Sequence, residues 1–326
     1  MSEYLKNYLN LVEKEIKGLK LSAKPEGLYE VVEYCLKNGG KRIRPIMTLM
    51  GCELFDGNVK DSLSAAVGLE LFHNFTLMHD DIMDNAPIRR GQASAYKKYG
   101  TNAAILSGDA LLALAYDRII DVPENQLKEI IKAFNTTVKE VCEGQQYDMN
   151  FESHNRVSEA EYLNMIRLKT AVLPANCLII GGLISQKAKE QDLENLYSFG
   201  ENIGLAFQIQ DDWLDVYSDE KLFGKKTGGD ILANKKTWLY IKALELADNN
   251  MQQVLLNAFS GKIASPEEKI KAVKSVYNKL EVSRIALEKI NSYFENALTY
   301  LDKIDVSKKS KTPLREFAGD LMNRAL

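Results

Sequence analysis

Apolar residues recur at steps of three and four along nearly the whole chain. Leu5, Tyr8, Leu9, Val12, Ile16 and Leu19 fall on one face of a helical wheel. Leu63, Val67, Leu71 and Phe75 repeat the pattern, as do Leu127, Ile130, Ile131, Phe134 and Val138, and then Ile203, Phe207, Gln210 and Leu214. Longer alternation of apolar and polar positions, the mark of half-buried strands, is missing. Breaks fall where Gly, Asn and Pro cluster. Asn38-Gly39-Gly40 stops one helix, and Pro45 suits the first turn of the next. Asn85-Ala86-Pro87 stops another, Asp121-Val122-Pro123 separates two more, and segment 224–234 reads as a Gly- and Lys-rich loop. The most apolar run, 171–184, holds Pro174, Asn176 and two glycines. It is too short for a bilayer and reads as a buried core helix. The expectation is an all-α fold: one domain, 1–326, of roughly ten or more helices packed as a bundle.

Composition narrows the partners. At 326 residues the chain can bury a substantial core, and no Ser- or Pro-rich linker divides it. Acidic residues outnumber basic ones by only 45 to 42, which removes any general reason to bind nucleic acid; an anion site must be local. Cys35, Cys52, Cys142 and Cys177 lie far apart with no CxxC pair. That excludes a zinc cluster or disulfide framework and marks them as small core residues in a reducing compartment. The first residues, Met-Ser-Glu-Tyr-Leu-Lys, lack the basic-then-apolar pattern of a secretion signal. A cytoplasmic protein with no membrane span is expected.

Two DDxxD strings carry the strongest chemical signal: Asp80-Asp81-Ile82-Met83-Asp84 and Asp211-Asp212-Trp213-Leu214-Asp215. Each closes an apolar helical stretch. Residues four apart share a helix face, so Asp80 stands beside Asp84 and Asp211 beside Asp215. Asp81 and Asp212 point about 100° further round. Carboxylates clustered at a helix C-terminus repel one another and oppose the helix dipole. Mg²⁺ relieves both conflicts, because it takes one or two carboxylates together with water and phosphate oxygens. A solvated acidic face would explain one such string; two copies in matching positions point instead to a trough for Mg²⁺ and a diphosphate.

Basic residues match them. Gly39-Gly40-Lys41-Arg42-Ile43-Arg44 sets three cations at a helix mouth, where free N–H groups also favour anions. Arg89-Arg90-Gly91 follows the first acidic string after a short turn, and Arg forks suit phosphate oxygens. Lys225-Lys226-Thr227-Gly228-Gly229-Asp230 adds cations that could close over a substrate. Singly, each basic run reads first as solvated surface. None is a nucleotide P-loop, since Arg42 follows Lys41 where that motif needs Ser or Thr.

The order of these strings (GGKRIRP, HDDIMD, RRG, KT, FQIQDDWLD and a late Gly-Lys loop) resembles the trans-type polyprenyl synthetase family, over roughly residues 39–235. The resemblance implies an isoprenoid synthase-like bundle with a central cavity, a homodimer and a prenyltransferase. It would condense isopentenyl diphosphate with an allylic diphosphate by ionisation, condensation and proton loss. Asp80, Asp84 and Asp211 would ligate Mg²⁺, with Asp81 and Asp215 in support. Arg89, Lys169, Lys226 and Lys235 would hold the allylic diphosphate. Lys41, Arg44, His73 and Arg90 would hold isopentenyl diphosphate. Lys169 and Thr170 carbonyls and the Gln208 side chain would face the developing cation. A helix-packing role is the alternative for His73, and His79 reads as structural.

The resemblance also implies that Phe75, five residues before Asp80, floors the product pocket, with Phe72 a second plug; ordinary core packing is the alternative for both. A fifteen- or twenty-carbon product, farnesyl or geranylgeranyl diphosphate, is expected. Two departures stand out. Ala171 occupies a position where the family often has glycine, and Asn323-Arg324-Ala325-Leu326 lacks the basic tail of some members. Two rivals remain. A terpene cyclase shares DDxxD, but its second metal motif normally carries Asn or Ser and Glu, and it needs no Lys41 and Arg44. A non-catalytic subunit of a two-chain synthase is expected to lose an acidic string, and this chain keeps both.

Overall fold

The computed structural model describes residues 3–154, 156–218, 227–260 and 265–322. In chain order the helices are α1 (Glu3–Lys17), α2 (Tyr29–Lys37), α3 (Ile43–Leu54), α4 (Leu63–Met83), α5 (Ala95–Tyr99), α6 (Thr101–Ile120), α7 (Leu127–Ser153), α8 (Glu159–Ile166), α9 (Val172–Ser185) and α10 (Glu190–Tyr217). After them come α11 (Gly229–Leu232), α12 (Trp238–Leu246), α13 (Asn249–Phe259), α14 (Pro266–Lys279), α15 (Val282–Lys303) and α16 (Lys308–Met322). The fold is all-α, and the stops read from Gly, Asn and Pro fall where helices end. Asn38 caps α2 and Asp84 caps α4. The periodic face of α1 buries Leu5, Tyr8, Val12 and Ile16.

Contacts group the residues into two compact units. One comprises Met1–Thr137, Asn176–Tyr197 and Ile304–Pro313; the other comprises Val138–Ala175, Ser198–Lys303 and Leu314–Leu326. In the first, α4 packs along α6 and against α3. Its core holds Phe72, Phe134, Leu49, Leu69 and Leu111 with almost no exposure. Glycines let α3 approach the end of α9: a Cβ on Gly51 would overlap the Leu178 carbonyl, and one on Gly181 would overlap that of Thr48. In the second unit, Trp238, Leu239, Val273, Tyr277 and Ala286 form one buried cluster.

Four features depart from the sequence expectation. Strands β1 (Ile88–Arg89) and β2 (Gln92–Ala93) pair as a tiny antiparallel hairpin. Its loop residues, Arg90 and Gly91, have φ of 52° and 76°, the left-handed pair of a type I′ turn. A short helix, α11, lies inside the segment read as loop. A π turn over Arg167–Ala171, in which the Val172 N–H donates to the Arg167 carbonyl, joins α8 to α9. The joined run, Glu159–Ser185, has 27 residues, so it is long and apolar enough to cross a membrane, yet 72% of its most apolar window is buried within the protein. Finally, Cys52 and Cys177 are buried as expected, but Cys142 is exposed on α7 and Cys35 half-buried.

Candidate functional site

In the first unit the last turn of α4 carries Asp80 and Asp81. Asp81 is only 3% exposed and accepts from Arg89 Nε at 2.9 Å and Nη2 at 2.5 Å. Burial pushes the Asp81 carboxyl up, and the Arg89 guanidinium opposes that shift. Asp84 is exposed, and its backbone N–H donates to the Asp80 carbonyl at 2.8 Å. The hairpin therefore ties Arg89 to the acidic string, where the sequence reading gave it to the allylic diphosphate.

The turn delivers Arg90 to the Gly39-Gly40 corner. Its Nη1 donates to the Gly39 carbonyl. A Cβ on Gly40 would lie 2.8 Å from the Arg90 guanidinium carbon, so glycine is what admits the side chain. Arg44 Nε is buried and has no hydrogen-bond partner among the described residues. His73 is 8% exposed, and its pKa is held well below the ordinary value by burial and then by Arg44, Arg90, Arg89 and Arg42. Three residues expected to hold isopentenyl diphosphate, Arg44, His73 and Arg90, thus share one cationic neighbourhood. Lys41 is exposed nearby in sequence.

Arg42 corrects the picture of three cations at the helix mouth. Its φ of 48° turns it inward at the α3 N-cap. There its guanidinium donates to Glu13 Oε1 at 2.8 Å, Glu70 Oε1 at 2.7 Å and the Leu36 carbonyl at 2.8 Å. All three bonds hold the fold, so Arg42 is not among the cations offered to an anion.

Phe72 and Phe75 separate in character. Phe72 has no exposure, and its ring stands edge-on to Phe134 at 5.5 Å and 5.8 Å from Phe75. Phe75 is half-buried, with the His79 ring edge-on at 4.7 Å. Phe72 backs Phe75 from within the core.

In the second unit a cavity of about 210 Å³ is lined by Asp148, Lys169, Thr170, Gln208, Asp211 and Asp230, among others. The π turn presents Lys169 and Thr170 to it. Two glycines clasp that turn. A Cβ on Gly144 would overlap Lys169 N, and one on Gly204 would lie 2.5 Å from Ala171 Cα. Lys169 Nζ donates to Asp148 Oδ2 at 2.5 Å, and Thr170 Oγ1 donates to Gln208 Oε1 at 3.1 Å. Asp212 is 3% exposed and accepts from Tyr162 Oη at 2.5 Å, the Trp238 N–H at 3.0 Å and Gln208 Nε2 at 3.2 Å. Asp215 Oδ2 accepts the Asp230 N–H at 3.0 Å, which pins α11 to the acidic string. Burial, with neighbouring carboxylates adding, pushes Asp212 to about 7 and Asp230 to about 6. Lys235 is exposed at the cavity; Lys226 lies outside the described residues.

Among the described residues no three acidic, imidazole or thiol side chains form a ready-made metal cage. Asp211 is exposed at the cavity, and Asp148 and Asp230 line it, oxygen donors of the kind Mg²⁺ takes together with water and phosphate oxygens.

Sequence reasoning missed Asp148, Tyr162, Asp230 and Lys236. Asp230 stood in a string read only for its cations. Lys236 Nζ caps the end of α7 through the carbonyls of Phe151, Glu152 and His154. Asp148 and Tyr162 act through tertiary contacts that leave no local signal.

Residues 25–280 match the family model described as polyprenyl synthetase. Geranylgeranyl pyrophosphate synthase of Geoglobus acetivorans is 37% identical over 327 residues, covering 99% of each chain. A crystal structure of a geranylgeranyl pyrophosphate synthase, 41% identical, superposes with a TM-score of 0.94 over 100% of both chains. Another, from Corynebacterium glutamicum in complex with isoprenyl diphosphate and magnesium, is 27% identical, with a TM-score of 0.85 over 99% of this chain and 98% of that one. The chain belongs to the polyprenyl synthetase family and is a prenyltransferase of the short-chain prenyl diphosphate synthase kind.

Proposed function

We propose that this enzyme joins isopentenyl diphosphate to allylic diphosphates and releases geranylgeranyl diphosphate. The observation that carries the reading is the cavity of the second unit. There the Thr170 hydroxyl and Gln208 carbonyl oxygens stand beside the cation Lys169 and the acids Asp211 and Asp230. Lys169, Lys226, Lys235 and Arg89 hold the allylic diphosphate. Arg44, His73, Arg90 and Lys41 hold isopentenyl diphosphate. Asp80, Asp84 and Asp211, with Asp81 and Asp215 in support, would hold Mg²⁺, which would supply charge neutralisation for the leaving diphosphate. Oxygen dipoles of Lys169, Thr170 and Gln208, fixed before the bond breaks, stabilise the allylic cation at no reorganisation cost. The released diphosphate takes the proton. Water is kept out, because it would trap the cation. Relatives that make the twenty-carbon product and the half-buried Phe75 support that length. The family resemblance extends the proposal to a homodimer, and the scattered cysteines, with no CxxC pair, extend it to a reducing compartment, the cytoplasm.

A product assay tests this. Purified protein, Mg²⁺ and isopentenyl diphosphate are incubated with five-, ten- or fifteen-carbon allylic diphosphates, and the dephosphorylated products are sized by mass. A linear twenty-carbon alcohol is expected. A cyclic hydrocarbon made without isopentenyl diphosphate would overturn the reading, as would folded protein with no turnover.

A further inference from the structure

We propose that Tyr162 and Asp212 are positioning residues that fix the Gln208 amide with its oxygen turned toward the allylic cation. This rests on the reading above, in which Gln208 faces that cation.

The second acidic string treats its three carboxylates differently. Asp211 is exposed at the cavity, while Asp212 is buried and already accepts three hydrogen bonds. Oδ2 takes the Tyr162 hydroxyl at 2.5 Å and the Trp238 N–H at 3.0 Å; Oδ1 takes Gln208 Nε2 at 3.2 Å. The two anchors come from different helices. Tyr162 lies on α8 with its ring in the core, and Trp238 offers a first-turn N–H of α12 that no helical carbonyl can take. Together they hold the carboxylate still against α10.

Gln208, four residues earlier on the same helix, offers Oδ1 the –NH₂ end of its amide. The amide oxygen is then left on the opposite side, where Thr170 Oγ1 meets it at 3.1 Å. A glutamine free to rotate presents either end to a developing cation, and one of them is repulsive. The chain Tyr162–Asp212–Gln208–Thr170 removes that choice before substrate binds, so its benefit is realised in the transition state.

The test compares Tyr162→Phe, Asp212→Asn, Gln208→Ala, the double variant Tyr162→Phe/Gln208→Ala and, as the metal-site reference, Asp211→Asn with wild type. It reads kcat, both KM values, the Mg²⁺ concentration for half-maximal rate and the melting temperature. Tyr162→Phe and Asp212→Asn are expected to lower kcat about ten-fold or more, with KM and the Mg²⁺ midpoint within about two-fold. The double variant should be no slower than Gln208→Ala alone, because the amide being positioned is gone. If the two losses multiply, Tyr162 acts elsewhere and the proposal fails. If Asp212→Asn raises the Mg²⁺ midpoint as far as Asp211→Asn does, Asp212 is a metal ligand and the proposal also fails. Wild-type protein that forms no prenyl diphosphate would overturn the functional reading itself, and this inference with it.

Discussion

Lys169 Nζ lies 2.5 Å from Asp148 Oδ2, so the π turn and α7 are joined by a charge-assisted hydrogen bond beside the cavity. To hold a diphosphate, Lys169 exchanges this carboxylate for phosphate oxygens. Such bonds are worth about 1.5–3 kcal/mol, or roughly ten- to a hundred-fold in binding. Lys169→Ala is therefore expected to raise KM for the allylic diphosphate by that factor and to leave KM for isopentenyl diphosphate unchanged. Initial rates with each substrate varied in turn check this. An equal rise in both constants would remove Lys169 from the allylic site.

The same turn depends on what is missing at Gly204. A methyl there would lie 2.5 Å from Ala171 Cα and 2.7 Å from its Cβ, both held by helix backbone. Gly204→Ala should overpack the contact, at about 1–3 kcal/mol, and displace Lys169 and Thr170, so kcat falls together with melting temperature. Gly319→Ala on α16 is the control, because a Cβ there meets nothing within 4 Å. It should be neutral or gain up to about 1 kcal/mol from helix propensity. A Gly204→Ala enzyme with unchanged rate and melting curve would show that the turn has slack.

Much of this was legible before any coordinates. Three- and four-residue apolar steps mark α1, α4, α7 and α10, and capping residues mark their ends. The acidic and basic strings fall where those helices stop. What stayed hidden has physical reasons. A π turn has no apolar period of its own, so 167–171 reads as plain helix. A hairpin of two-residue strands is too short to alternate. Arg42 looks like one of three equivalent cations until its left-handed backbone turns it onto Glu13 and Glu70. Tyr162 gains its partner, Asp212, from 50 residues along the chain, which no local pattern encodes.

Product length should respond to Phe75 and stability to Phe72. Phe75 is half-buried, and the family resemblance makes it the floor of the product pocket. Phe75→Ala is expected to shift products beyond twenty carbons with modest loss of stability. Phe72 is fully buried against Phe134, so Phe72→Ala should cost about 3–5 kcal/mol. Product sizing and urea unfolding of both variants separate the two effects. Unchanged products from Phe75→Ala would place the floor elsewhere.

Arg42 and Glu70 form a nearly unexposed pair, with Nη1 to Oε1 at 2.7 Å. Removing one partner strands a buried charge, so Glu70→Ala should destabilise the protein by about 3–5 kcal/mol. A double change to apolar residues of similar volume should recover most of that loss. Urea titration of the single and double variants measures it. A double variant as unstable as the single one would mean that packing, not charge, sets the cost.

His73 links the cationic neighbourhood to pH. Burial and the guanidinium groups of Arg44, Arg90, Arg89 and Arg42 hold its imidazole neutral well below its ordinary pKa. The unfolded chain protonates near 6.5 and the folded protein does not. As pH falls through 6.5, protons therefore favour the unfolded state, and His73 subtracts about 1.4 kcal/mol per further pH unit until its folded pKa is reached. Asp212 and Asp230, raised to about 7 and about 6, act in the opposite sense, because the folded state takes up their protons first. Total stability hence conceals the imidazole, and a comparison with His73→Gln isolates it. Between pH 7 and 5.5 wild type should lose about 1 kcal/mol more than the variant in urea unfolding. Parallel losses would mean that folded His73 takes up the proton. The site would then meet isopentenyl diphosphate with an extra positive charge rather than a neutral hydrogen-bonding ring.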